Sequence, residues 1–488
     1  MKELQDIIYK VPILEVRGNL AIEVRDFFSD SREVVSGSLF VAIRGTQVNG
    51  HDFIADAIAN GADAVICETF PPVLQQNVVY LLVRDSALSW AHIAANCYDN
   101  PADSLKIVGV TGTNGKTTVA TLLYKLFNAL GFSSGLVSTV AVAIGKRKLP
   151  ATHTTPDAKE LQGFFRNMVN EGCTHCFMEV SSHALVQQRT ASIPFVGALF
   201  TNITHDHLDY HGSFSEYIKA KKILFDQLPE TAFALINLDD RNAEVMLQNT
   251  LASRKTCSTK KPADFRGKII ENSMDGLLME TGGQQVWFRL VGEFNASNLL
   301  MVFAAAVLCG IDPASALLEL SRMEGVAGRF QMVKAPDRSI TAIVDYAHTP
   351  DALKNVLVTI RKVSGESGKL ITVVGCGGNR DKTKRPEMGK IAAELSDQVI
   401  LTSDNPRNED PGEIINEMIA GVPVSLRRRV VIVTDRREAI AVACRLAGKS
   451  DIVLVAGKGH ETYQEIRGIR QPFDDREILL ETFKTLNT

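Results

Sequence analysis

The run Gly109-Val110-Thr111-Gly112-Thr113-Asn114-Gly115-Lys116-Thr117-Thr118 gathers residue types that suit a nucleoside triphosphate. Glycines let backbone N–H groups turn toward phosphate oxygens. Lys116 would reach the β and γ phosphates, and the Thr117 hydroxyl would hold Mg²⁺. Gly112, Thr113, Asn114, Gly115 and Thr118 complete the expected cradle. The general phosphate-loop pattern has glycine five residues before the Gly-Lys pair, and here that position is Val110.

Other reactive side chains gather downstream. Glu179 and Ser181 end an apolar run, where a phosphate-loop fold places a second Mg²⁺ ligand. Five of the ten histidines lie between His175 and His211, and the His205-Asp206-His207 segment is either a metal cluster or polar loop chemistry. Lys219, Lys221 and Lys222 read by spacing alone as the solvated face of a helix. Cys173 and Cys176 form a single C-x-x-C without a second pair, which reads as core packing.

Positioning these groups requires a layered α/β chain. Leu105 to Val110 predicts a buried strand, and the spacing of Val119, Leu122, Leu123, Leu126, Phe127 and Leu130 predicts a helix ended by Gly131. Upstream, Gly37 to Ile43, Ala62 to Cys67 and Val78 to Val83 are strand-like, and Ser86 to Cys97 is helical. Asp99-Asn100-Pro101 breaks that helix. Cys176 to Val180, Val196 to Thr201 and Ala232 to Asn237 continue the middle block, which predicts a mainly parallel sheet covered on both faces. Ala335-Pro336-Asp337 marks a second boundary. Beyond it, Lys369 to Val374, Gln398 to Leu401, Val430 to Val433 and Ile452 to Val455 read as strands. The polar turns Gly375 to Gly378, Thr402 to Asn405 and Gly457 to Gly459 follow three of them, which makes these turns site candidates.

A net charge of −3 argues against a general nucleic-acid binder. No apolar run is long enough to span a bilayer, and Met1 to Lys10 has no secretory core. Eight scattered cysteines suggest reduced thiols and a cytoplasmic protein.

The Thr-Gly-Thr-Asn-Gly-Lys-Thr-Thr form resembles the ATP loop of the Mur ligase family, which includes folylpolyglutamate synthetases. Further motifs in order carry the resemblance along the chain. Asp30-Ser31-Arg32 with Gly37 to Ala42 and Gly50-His51 resembles the uridine-nucleotide end. Thr154-Thr155-Pro156 and Ser181-Ser182-His183 with Arg189 resemble muramoyl-peptide contacts. Gly292-Glu293-Phe294-Asn295 with Asn298 resembles the adenine side, and Gly328-Arg329-Phe330 with Asp345 to Asp351 resembles the closing elements over ATP.

The resemblance implies three α/β domains: a small uridine-nucleotide domain over 1–101, a central phosphate-loop ATPase domain over 102–333 and a Rossmann-like amino-acid domain over 334–488. It implies ATP contacts from the loop and from Asn295, Asn298, Arg329, Asp345 and His348. Ser31, Thr154, Thr155, Ser181, Gln187 and Arg189 would hold a UDP-muramoyl dipeptide. In the family the Lys of Tyr-x-x-Ala-Lys is carbamylated by CO₂, and Tyr217-Ile218-Lys219-Ala220-Lys221 puts Lys221 there. Thr117, Glu179, His207 and carbamylated Lys221 would then hold Mg²⁺, with Lys116, Glu179, His207 and Lys221 as the catalytic set.

The turns of the last domain resemble the branch that adds meso-diaminopimelate. Arg380, Asp404, Asn405, Pro406, Arg407, Gly457 and Glu461 are its implied contacts, and Asn379 stands where some relatives carry an acid. The implied reaction is ATP-dependent amide formation through an acyl phosphate in a cytoplasmic monomer that acts on small molecules, within peptidoglycan precursor synthesis. The alternatives are a lysine-adding or D-Ala-D-Ala-adding ligase, or a regulatory phosphate-loop ATPase.

Overall fold

The computed structural model describes residues 1–45, 48–204, 206, 208–335, 340–365 and 368–486. Its strands fall into three main sheets. The first has five strands, in the order Ile13–Arg17, Val79–Val83, Ala62–Cys67, Ser38–Val41, Asp26–Phe28. All pair in parallel except the Ile13–Arg17 edge. The helix Ser86–Cys97 packs on it, and its start is capped by Asp85, whose carboxylate accepts from Leu88 N at 2.8 Å. Asp99 and Asn100 then take positive φ angles, and Pro101 starts the next turn.

The central sheet has eleven strands. Seven of them, from Ser134–Val137 to Phe265–Ser273, run parallel, with Lys106–Thr111 between His175–Glu179 and Phe195–Phe200. The mainly parallel expectation describes this block. Antiparallel strands extend both margins, Val142–Ile144 and Arg147–Leu149 on one side and Gly276–Thr281 and Gln284–Phe288 on the other. Arg147–Leu149 and Gln284–Phe288 are mostly exposed and Val142–Ile144 is only three residues long, so they carry a weaker pattern than the continuous apolar runs of the buried strands. Helices Lys116–Ala129 and Glu293–Leu308 cover one face, and Ala158–Asn170 and Phe214–Asp226 the other. Cys173 and Cys176 are buried free thiols in this core.

The third sheet has six strands, in the order Gln331–Lys334, Thr341–Asp345, Ile452–Ala456, Leu370–Val374, Gln398–Leu401, Val430–Ile432. Only the Gln331–Lys334 edge is antiparallel, and it runs across the 333/334 boundary. Pro336 and Asp337 lie outside the described residues. Helices Pro350–Ser364, Lys384–Leu395 and Pro411–Ala420 cover one face, and Arg436–Leu446 and Asp475–Leu486 the other. A hairpin, Tyr463–Ile466 with Ile469–Pro472, projects beside the strand ends. Among the described residues no helix is long and apolar enough to cross a membrane.

Candidate active site

The phosphate loop lies between the strand Lys106–Thr111 and the helix Lys116–Ala129. Two of its glycines are required by geometry. A Cβ on Gly112, at φ +146°, would lie 1.9 Å from Thr201 Oγ1, and one on Gly115, at φ +89°, would lie 2.6 Å from Asn298 Oδ1. Lys116 Nζ donates to the carbonyls of Gly112 at 2.8 Å and Thr113 at 2.9 Å. Burial lowers its pKa against the pull of Glu179.

Lys221 is buried and donates to the same Gly112 carbonyl at 2.9 Å. Its ammonium lies 4.5 Å from the centre of the Tyr217 ring. Burial, reinforced by Lys116, holds its pKa well below the ordinary lysine value. Its neighbours differ. Lys219 is an exposed partner of Glu216, and Lys222 pairs with Asp226 one turn on. Helical spacing therefore misreads two of the three: Phe214–Asp226 buries Lys222 beside Asp226 and turns Lys221 inward, beneath the loop.

Glu179 ends its strand fully inside the protein, where its Oε1 accepts from Thr139 N at 2.8 Å. Its own carbonyl accepts from Thr155 Oγ1 at 2.8 Å, and that hydroxyl accepts from Ser181 N at 3.0 Å. Thr139 Oγ1 donates to Thr154 Oγ1 at 3.0 Å. Arg189 donates to Thr155 O at 2.7 Å and twice to Gln187 Oε1, at 3.0 and 2.6 Å, while Gln187 Nε2 donates to Tyr210 Oη at 3.0 Å. Thr154, Thr155, Ser181, Gln187 and Arg189 thus form one network at Glu179. Ser31 lies apart in the first sheet's domain, where its carbonyl accepts from Asn60 Nδ2 at 2.9 Å.

Asn295 and Asn298 are buried in the first turns of their helix, the second against the phosphate loop. Arg329 Nη2 donates to Thr117 Oγ1 at 3.0 Å. Asp345, buried at its strand end, accepts from Phe330 N at 2.6 Å, and burial pushes its carboxyl up to about 6. His348 is exposed beside the Tyr346 carbonyl, at 3.0 Å. Asp351, the last residue of the closing motif, was given no contact of its own from sequence; its Oδ2 accepts from Asn114 Nδ2 at 3.1 Å and Thr204 Oγ1 at 3.2 Å. His207 lies outside the described residues, as does His205.

At the carboxyl ends of the third sheet, Asp404, Asn405 and Pro406 are buried, and Arg407 takes φ +52°. The backbone of Arg407 accepts from Arg467 N at 2.7 Å and donates to Glu465 O at 3.0 Å, so the hairpin clamps it. Its Nη1 donates to Gly378 O at 2.7 Å. Asn405 Nδ2 donates to Glu461 Oε2 at 2.7 Å. A Cβ on Gly457 would lie 2.6 Å from Asp404 Oδ2, so glycine is required there. Arg380 is exposed on the neighbouring turn.

Three family models match: Mur ligase family, catalytic domain, over residues 27–96; Mur ligase middle domain over 110–306; and Mur ligase, glutamate ligase domain, over 328–459. The chain belongs to the Mur ligase family. Among relatives of this Mur ligase, the UDP-N-acetylmuramoyl-L-alanyl-D-glutamate--2,6-diaminopimelate ligase of Cytophaga hutchinsonii is 56% identical over 99% of both chains. The enzyme of the same name from Clostridioides difficile is 39% identical over 98% of both. A solved structure of a protein with that name is 34% identical, with a TM-score of 0.70 over 100% of this chain and 99% of the other. MurF of Thermotoga maritima, solved with ADP, shares the fold at 21% identity, with a TM-score of 0.61 over 95% and 97%.

Two groups in this Mur ligase were missed from sequence. Lys458 is fully buried between Asn405 and Glu461, and Arg436 is buried against Asp475. Lys458 lies within a quoted motif, but its burial has no local sign. The donor set at the phosphate loop suits Mg²⁺ and a carbamate. It offers a hydroxyl, a buried carboxylate and a buried amine with depressed basicity that donates to a backbone carbonyl. Among the described residues no three His, Cys, Asp or Glu side chains alone form a metal cluster.

Proposed function

We propose that this Mur ligase joins meso-2,6-diaminopimelate to the γ-carboxylate of D-Glu in UDP-MurNAc-L-Ala-D-Glu, at the expense of ATP. The observation that carries the reading is one continuous arrangement. A phosphate loop with two inward lysines adjoins the Glu179 network, and Arg329 joins that loop to the domain bearing Arg407 and Glu461. Relatives of the same name that match end to end support it. Family membership removes the regulatory ATPase.

A carboxylate is a poor electrophile. Its oxygen attacks the γ-phosphorus of ATP, ADP leaves, and an acyl phosphate forms. The free amine of diaminopimelate then attacks the acyl carbon, phosphate leaves with the bonding electrons, and the proton lost from the nitrogen departs with it as hydrogen phosphate. Two anions meet in the first step, so cations must face them. Lys116 would turn from the loop carbonyls toward the β and γ phosphates, and the loop N–H groups would hold the phosphate oxygens. Arg189 and the Thr154, Thr155, Ser181 and Gln187 groups would hold the peptide so that its carboxylate meets the γ-phosphate. Thr117, Glu179, His207 and carbamylated Lys221 would hold Mg²⁺, which when bound neutralises the approaching charges. Lys221 suits carbamylation because only a neutral amine adds to CO₂, and burial favours that form.

On this reading residues 1–101 hold the uridine nucleotide through Ser31, 102–333 hold ATP and the reacting carboxylate, and 334–488 hold the amino acid. Asn295, Asn298, Arg329, Asp345 and His348 would close over ATP. Arg407 and Arg380 would take carboxylates of diaminopimelate, beside Asp404, Asn405, Pro406, Gly457 and Glu461. We place the enzyme in the cytoplasm as a monomer. The test is a ligation assay with UDP-MurNAc-L-Ala-D-Glu, ATP and a panel of amino acids, products identified by mass. Addition of diaminopimelate alone is expected. Preferred addition of L-lysine, or reaction only of a tripeptide nucleotide with D-Ala-D-Ala, would overturn the substrate assignment.

A further inference from the structure

The strand ends of the third sheet enclose more charge than the reading above uses. Asp404, Glu461 and Asp475 supply three acids, and Lys458 and Arg436 two cations. Arg436 pairs with Asp475, Nε to Oδ1 at 2.8 Å and Nη2 to Oδ2 at 2.8 Å, and its Nη1 lies 4.0 Å from Asp404 Oδ2. Lys458 faces Glu461 and Asn405. Its Nζ donates to Glu461 Oε2 at 3.2 Å and to Asn405 Oδ1 at 3.1 Å. The same Asn405 oxygen accepts from Glu465 N at 2.9 Å, and Asn405 Nδ2 donates to Glu461 Oε2 at 2.7 Å.

Those contacts permit one orientation of the amide. An ammonium and a backbone N–H only donate, and a carboxylate only accepts. Flipping Asn405 would set N–H groups against Lys458 and an oxygen against Glu461. Both lone pairs of its oxygen are therefore used, and it has none left for a ligand ammonium.

We propose that Lys458 sets the polarity of the amino-acid pocket: it locks the Asn405 amide and holds one oxygen of Glu461, so that Glu461 Oε1 receives the distal ammonium and the second Nδ2–H of Asn405 serves the adjacent carboxylate. This rests on the pocket being the diaminopimelate site. Lys458 is fully buried and acts through Asn405 and Glu461, as a positioning residue. Together Asp404, Glu461 and Asp475 exceed Lys458 and Arg436 by one negative charge, which one bound ammonium balances.

L-2-Aminopimelate lacks only the distal amine and is the probe. Its kcat/KM is compared with that of meso-diaminopimelate in the wild type, Lys458→Gln and Lys458→Met, alongside KM for ATP and the muramoyl nucleotide. The wild type is expected to prefer diaminopimelate. Both variants should lose about tenfold or more of that preference, with the other two KM values within about twofold. Asn405→Asp keeps the oxygen facing Lys458 but replaces the donor to Glu461 with an acceptor. It should lose the same preference, and it decides the matter if the Lys458 variants do not fold. An unchanged preference in the folded variants overturns the role of Lys458 alone. A wild type without the preference overturns the reading of the pocket and, with it, this assignment.

Discussion

Arg329 Nη2 donates to Thr117 Oγ1 at 3.0 Å, across 212 residues of chain. Thr117 opens the helix of the phosphate loop, and Arg329 stands at the turn into the third sheet. The guanidinium also lies 4.5 Å from the centre of the Tyr346 ring, so one side chain ties the nucleotide loop to the amino-acid domain.

Arg329→Lys keeps the charge but loses the planar fork and its stacking. It is expected to raise KM for ATP and slow ligation by about tenfold to a hundredfold, with the melting temperature little changed. Steady-state kinetics with ATP as the varied substrate check this. Unchanged kinetics would make the contact incidental.

Lys221→Ala should be inactive, and short-chain carboxylic acids should partly restore it by filling the place of a carbamate. Lys219→Ala should be nearly neutral because that side chain is solvated, and Lys222→Ala should cost much less than Lys221→Ala. Equal and mild effects of all three would return the segment to a solvated helix face.

Arg407 is held from both sides, by the hairpin at its backbone and by Gly378 O at its guanidinium. L-Lysine lacks the carboxylate that a bidentate guanidinium would bind. The unmodified enzyme should prefer diaminopimelate roughly a thousandfold or more. Arg407→Ala should lose diaminopimelate far more than ATP or the muramoyl nucleotide. Competition between the two amino acids, read by product mass, decides it.

His175 sits among Phe127, Phe132 and Phe177, with ring centres 4.7, 5.4 and 6.3 Å away. Burial lowers its pKa from 6.5 to about 4. The unfolded chain therefore takes up this proton first as pH falls. The stability contribution is complete above about 6.5 and is lost as pH falls toward about 4, by up to about 3 kcal/mol. His175→Phe should lack that part of the acid sensitivity. Denaturant unfolding at neutral pH and at about pH 4.5 compares the two proteins, and equal losses would contradict the assignment.

The phosphate loop and the parallel strands flanking it were legible in the sequence because their causes are local. Gly112 and Gly115 need positive φ, buried parallel strands read as unbroken apolar runs, and the helix Ser86–Cys97 follows a capping Asp85 and precedes a break. The motif order likewise named the candidate site residues. Tertiary structure alone decided that Lys221 of the three lysines 219, 221 and 222 reaches the phosphate loop. It alone brought Asp351 to Asn114, joined Thr139 to Glu179 and enclosed Lys458 with Asn405 and Glu461. The outermost antiparallel strands of the central sheet, Arg147–Leu149 and Gln284–Phe288, were unreadable for a related reason, since a mostly exposed strand is defined by its neighbour more than by its own residues. Side chains tens to hundreds of positions apart leave no periodic trace in the chain. Their burial and partners exist only once the sheets and helices have packed, and that packing sets the charge state and orientation on which the chemistry depends.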